Sequence, residues 1–169
     1  MIVDEYKTLI LAQMKASLAT LSQCIAGCPE EDWHERHDDY PFSQVVFHTL
    51  FFTDYYLHGD HPGFKEQPFH RAHPDLFQDY EELEWKDPIN VYDRATCSRY
   101  LDFCVEKCAT VIDADTEQTL LGPSGFPGKT FSRAELYVYV IRHVQHHAAQ
   151  LGLRVQRRTG RELEWVSRA

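Results

Sequence analysis

The stretch from Ser132 to Gly160, SRAELYVYVIRHVQHHAAQLGLRVQRRTG, decides how the chain folds. Ser132 with Glu135 three residues on has the form of an N-terminal capping box, and Gly160 is a helix stop. Between them the pattern predicts one helix from Ser132 to about Arg158. At roughly 100° per residue, His143 and His147 fall about 40° apart on one face. Leu136 and Tyr139 precede them on that face, and Gln150 and Arg154 continue it. A helix of this length with a marked stripe needs other helices to pack against.

Three further segments supply them. The first runs from about Val3 to Ala26, where Ile10, Met14, Leu18, Leu21 and Ile25 recur every three or four residues; Gly27 and Pro29 stop it. The second spans about Ser43 to Leu57, with Ser43 as expected N-cap after Pro41, and closes at the Gly59–Gly63 turn region. Val45, Phe47, Leu50, Phe51, Phe52, Tyr55 and Tyr56 make it apolar nearly all round, as in a deeply buried helix. The third is expected from Pro88 or Ile89 to about Val111, with Val91, Cys97, Leu101, Cys104, Val105 and Cys108 as its seam. Between the second and third, His58–Pro88 reads as a long surface excursion with a short helical turn near Asp79–Leu83. Such a loop often roofs a site. Gly122, Pro123, Gly125, Pro127 and Gly128 punctuate the loop before the last helix. Four amphipathic helices and no period-2 segment give an all-α four-helix bundle, one domain over 1–169.

Composition narrows the function. The 169 residues are 43% hydrophobic and 25% charged, ordinary globular usage. Asp plus Glu total 26 against 17 Lys plus Arg, a formal charge of -9, which disfavours nucleic acid and anionic membranes as partners. No run looks long and apolar enough to span a bilayer, and the acidic N-terminus is wrong for a secretory signal. Five cysteines without disulfide spacing point to a reducing cytoplasm.

Ten histidines stand out. An i, i+4 pair such as His143 and His147 can converge on one ion. His146 lies about 60° to the other side of His143 and is the alternative partner. A third ligand must come from another helix, and His48 lies in the middle of the most apolar one, where an unpaired ring is costly. A hydrogen bond inside the core would satisfy His48 as well as a metal would. His48, His143 and His147 together would leave coordination positions open, the arrangement of a catalytic site. Tyr55, one heptad from His48, is a pocket candidate. Gln150 could orient a ligand at the metal and Arg154 could pair with a carboxylate, or both could be interfacial polar groups.

Residues Phe47-His48-Thr49-Leu50 and His143-x-x-His146-His147-x-x-Gln150, with the Trp33 region and the loop ahead of the last helix, resemble the DinB-like (YfiT-like) metalloprotein superfamily. The resemblance implies an up-down-down-up bundle with a long crossover between helices two and three, here His58–Pro88. It implies a divalent transition metal, nickel or zinc, on His48, His143 and His147. It also implies frequent homodimers, and activities that include S-transfer or isomerisation with a low-molecular-weight thiol, and hydrolysis. The rival is a non-catalytic bundle that uses the metal for stability, ligand sensing or docking.

The remaining motifs read as structural. Cys24, Cys28, Cys97, Cys104 and Cys108 are expected in the core, with the last three able to approach the metal if their helix lines the cavity. His58, His61, His70 and His73 are expected in a solvated loop. Glu31-Asp-Trp-His34 occurs once and lacks the partner carboxylates of a di-iron bundle.

Overall fold

The last helix forms where the sequence places it. Ser132 Oγ accepts a hydrogen bond from Glu135 N, and Gly160 closes the helix in the left-handed region at φ 70°. The structure, a computed structural model, describes residues 2–36, 40–59, 62–77, 92–126 and 128–169. Among them are six helices: α1 (Ile2–Gly27), α2 (Phe42–His58), α3 (Pro68–Ala72), α4 (Arg94–Ala114), α5 (Glu117–Leu121) and α6 (Arg133–Thr159). No strand forms among the described residues.

Side-chain pairs fix the direction of each long helix. Tyr6 donates to Ala134 O and Cys24 to Ala148 O, so α1 and α6 run parallel. Cys104 donates to Leu50 O and Lys107 to Asp54 O, so α2 and α4 run parallel as well. Lys7 donates to Asp115 O and Arg94 to Ile25 O, which sets α4 antiparallel to α1. Phe52 meets His143, and Tyr56 meets Tyr139, which sets α2 antiparallel to α6. The bundle is therefore up-down-down-up, and the chain must cross its length between α2 and α4.

Three boundaries differ from the sequence reading. The second helix starts at Phe42 with Pro41 as N-cap, so Ser43 lies inside it and is buried. The fixed φ of Pro41 presets this entry in place of a side-chain cap. The third long helix starts at Arg94, where Asp93 accepts from Thr96 N, and extends to Ala114. The expected start at Pro88 or Ile89, and the turn near Asp79–Leu83, lie outside the described residues. The short α5 was not anticipated; Thr116 and Thr119 form a reciprocal cap that opens it.

The crossover is more than a surface excursion. Its Phe64 and Phe77 are buried against Phe51 and Phe47 of α2, and Phe69 stacks on Tyr100 of α4. Phe126, from the loop before α6, closes over Tyr55 and Tyr56. The all-round apolarity of α2 is thereby covered on these faces by the same chain. A further correction concerns α1. By length and composition it is apolar enough to cross a membrane. Its Met14, Leu18, Leu21 and Cys24 are fully buried in the shared core, which accounts for that apolarity.

Candidate metal centre

His48 projects from α2 because the helix is built almost wholly of core residues around it; His143 and His147 project from α6 one turn apart. Since α2 and α6 are antiparallel neighbours, the three rings meet. The ring centroids of His48 lie 5.3 Å from those of His143 and 4.9 Å from those of His147. His48 Nε2 faces His143 Nε2 at 3.3 Å, and one ligand atom from each ring lies within 4.8 Å of the others. His48 and His147 are buried, whereas His143 is half-buried and carries the cluster to the surface. His146 is exposed on the outer side of α6, so the choice between the two neighbours falls on His147.

Both α6 histidines are held neutral. Burial, with the neighbouring His147 and His48, pushes the His143 ring down to about 3. Burial and His48 push His147 down to about 4, against the opposing pull of the Gln150 hydrogen bond. Gln150 Oε1 lies 2.9 Å from His147 Nδ1. An acceptor there keeps the proton on Nδ1 and leaves the Nε2 lone pair for the cluster, the usual division of labour in a metal-binding imidazole. Two orphaned polar atoms adjoin the site. His143 Nδ1 is buried without a partner, and Gln44 Oε1, one turn before His48 on α2, is buried without one as well. The neutral imidazoles of His143 and His147 converge with His48, with no acid in the group among the described residues, and fit a divalent ion and its remaining ligands.

The other expected residues divide. Gln150 acts on His147 itself rather than on a free ligand. Arg154 donates to Tyr40 O at 2.9 Å and lies over the Phe42 ring, so it clasps the entry of α2 to α6. Tyr55 packs against Phe51, Phe64 and Phe126, in the aromatic layer under the crossover rather than at the cluster. The five cysteines are free, buried thiols. Cys104 donates to Leu50 O across the α2–α4 seam, and burial pushes Cys108 up to about 12. They are core, as expected, and α4 does not bring them to the histidines.

The expectation of a solvated histidine loop is corrected at His70. It is buried, with its Nε2 donating to Asp54 Oδ2 at 2.6 Å and its ring stacked on Phe77. Asp54, fully buried on α2, also accepts from Tyr100 at 2.7 Å and from Lys107 at 2.5 Å. Burial alone would raise the Asp54 carboxyl, but the His70 hydrogen bond and the Lys107 ammonium outweigh it and hold it below its ordinary value. The one acid in the middle of an apolar helix was the available signal, and its partners lie 13 to 53 residues away. His73 bonds Phe69 O, and His61 lies outside the described residues.

A bundle with three imidazoles converging between two antiparallel helices is a helical scaffold that could hold a metal ion. The sequence model of the DinB superfamily matches residues 13–151, a span that contains all three histidines. The chain belongs to the DinB superfamily. No curated protein and no solved structure matches it.

Proposed function

We propose that the chain binds one divalent transition metal, nickel or zinc, on His48, His143 and His147 and works as a metal-dependent enzyme. The reaction class is hydrolysis or transfer to a low-molecular-weight thiol. The observation that carries this reading is the convergence of three imidazole ligand atoms within 4.8 Å, with no carboxylate or thiolate in the group among the described residues. A bound ion would supply Lewis acidity to water, a thiol or a carbonyl oxygen at the positions the protein leaves open.

The protein's own contribution is positional. Gln150 fixes the tautomer and plane of His147. Phe52 packs against the rings of both His48 and His143, limiting their rotation and keeping water from the α2 side. The half-buried edge of His143 is the route by which a small molecule reaches the cluster.

The test is a metal titration of untagged wild type and of His48→Ala, His143→Ala, His147→Ala and His146→Ala. One ion per chain in wild type and in His146→Ala, with loss in the other three, supports the site; equal affinity in all five removes it. Turnover of ester, amide and thiol-conjugate panels by the loaded protein then separates an enzyme from a non-catalytic metal-binding bundle. The cytoplasmic location and the homodimer are further parts of this reading, and the dimer rests on the family resemblance.

A further inference from the structure

The exposed edge of His143 opens into a surface depression of about 500 Å³ lined by Tyr139, Arg142, His143, Gln145 and His146. Among the described residues no acid lines it, although the whole chain carries a formal charge of -9. A second cation stands at its edge. Lys129, from the loop before α6, is half-buried, with its ammonium 4.5 Å from the ring centre of Tyr139 and 5.4 Å from that of Tyr56. It also lies 3.4 Å from the Tyr139 hydroxyl.

Neither cation is spent on the fold. Among the described residues, Lys129 and Arg142 have no carboxylate partner; Lys107, Arg133 and Arg158 are each paired to a buried or nearly buried acid. Glu135, the acid on α6 nearest to this face, lies a turn before Tyr139 and does not line the depression. Ordering a lysine over two aromatic rings costs side-chain entropy, so its position is informative where no acid holds it there. Tyr139 precedes His143 by one helical turn, a rise of about 6 Å.

The geometry points to an anion subsite at the mouth of the histidine cluster: Lys129 and Arg142 receive the carboxylate or similar oxyanion of a small-molecule substrate whose reacting group lies about one helical turn away, at the cluster. This rests on the Lewis-acid reading above and gives its substrate class. The substrate is an anion, such as an acid-bearing thiol or an amide or ester of a dicarboxylic acid, and not a neutral ester or amide. Flexible Lys129 supplies charge, and Arg142 can add a planar, two-pronged donor.

The experiment compares 3-mercaptopropionate with its neutral isostere, 3-mercaptopropionamide, in two arms. Cobalt-loaded protein is titrated with each and followed by the sulfur-to-cobalt charge-transfer band. Metal-free protein carrying ¹³C-methylated lysines, which keep their charge, is titrated with each and followed at the Lys129 resonance, assigned by its absence in Lys129→Met. The expected result is an acid preference of about tenfold in the first arm, lost in Lys129→Met/Arg142→Met without loss of cobalt, and a Lys129 shift produced by the acid alone. Equal affinity for acid and amide in wild type, a preference that survives the double variant, or a Lys129 signal that ignores the acid would each overturn the subsite. Absence of cobalt binding with a selective Lys129 response would instead count against the metal reading and support the subsite.

Discussion

The molecule buries histidine in two places and treats it in opposite ways. At the α2–α4 seam His70 meets a buried carboxylate that also accepts from Tyr100 and Lys107, so Asp54 is supplied with donors and an opposite charge. At the α2–α6 seam His48, His143 and His147 meet one another and the side-chain oxygen of Gln150, and no acid joins the group among the described residues. In the first cluster the buried carboxylate has its donors and opposite charge within the chain, and it joins the crossover to the bundle. On the proposed reading the second is completed by a metal ion. Burial alone therefore does not mark a functional histidine; burial without a compensating charge does.

That comparison predicts its largest effect at the structural cluster. Asp54→Ala leaves the Lys107 ammonium and the His70 donor without their acceptor, and should cost about 3 kcal/mol or more, roughly 10 °C in Tm for a domain of this size. Calorimetry of the metal-free protein checks this, and zinc stoichiometry at low temperature should stay at one. Next in size, His48→Ala, His143→Ala and His147→Ala should each weaken zinc about 100-fold or more, since an inner ligand costs at least as much as an outer partner. The same substitutions should cost the metal-free protein little, because they remove rings whose nitrogens are poorly satisfied. A competition titration with a chromophoric chelator, run beside thermal melts, reads both quantities.

A smaller effect is expected at Gln150. Its exposed side chain holds one nitrogen of His147, so Gln150→Ala should weaken zinc by about tenfold, the low end for such partners. The pH dependence sharpens the same contrast. His143 and His147 take up protons near 6.5 when unfolded but only near 3 and 4 when folded. Their contribution to stability is therefore fully present above pH 6.5 and is lost as pH falls toward 4 and 3. Urea titrations of metal-free protein between pH 7 and 4 should show that decline. Over pH 5 to 6.5 the folded protein surrenders at most one proton per zinc bound, because two of the three ligands are already neutral. The logarithm of affinity should then rise with a slope of about one or less, whereas three ordinary imidazoles would push it toward three.

What could be read from sequence follows from the range of the forces involved. Helical periodicity, the Ser132 cap and the i, i+4 histidine pair are local, and each stands in the structure where the pattern put it. His48 was legible because a polar ring in an unbroken apolar helix demands an explanation. The crossover was not, since Phe64, Phe69 and Phe77 have no period of their own and acquire a role only when α2 and α4 present aromatic surface to them. The same long-range closure hid the partners of Asp54. Lys129 was silent for a related reason: a loop lysine says nothing until two tyrosines from different helices are brought beneath it.

The central claim is that three imidazoles and no sulfur bind the ion. X-ray absorption at the zinc edge, on protein loaded with one equivalent, tests it most directly. The account predicts three nitrogen scatterers at about 2.0–2.1 Å with the multiple-scattering signature of imidazole and one oxygen ligand beside them; a sulfur shell near 2.3 Å, or a spectrum unchanged in His48→Ala, would contradict it.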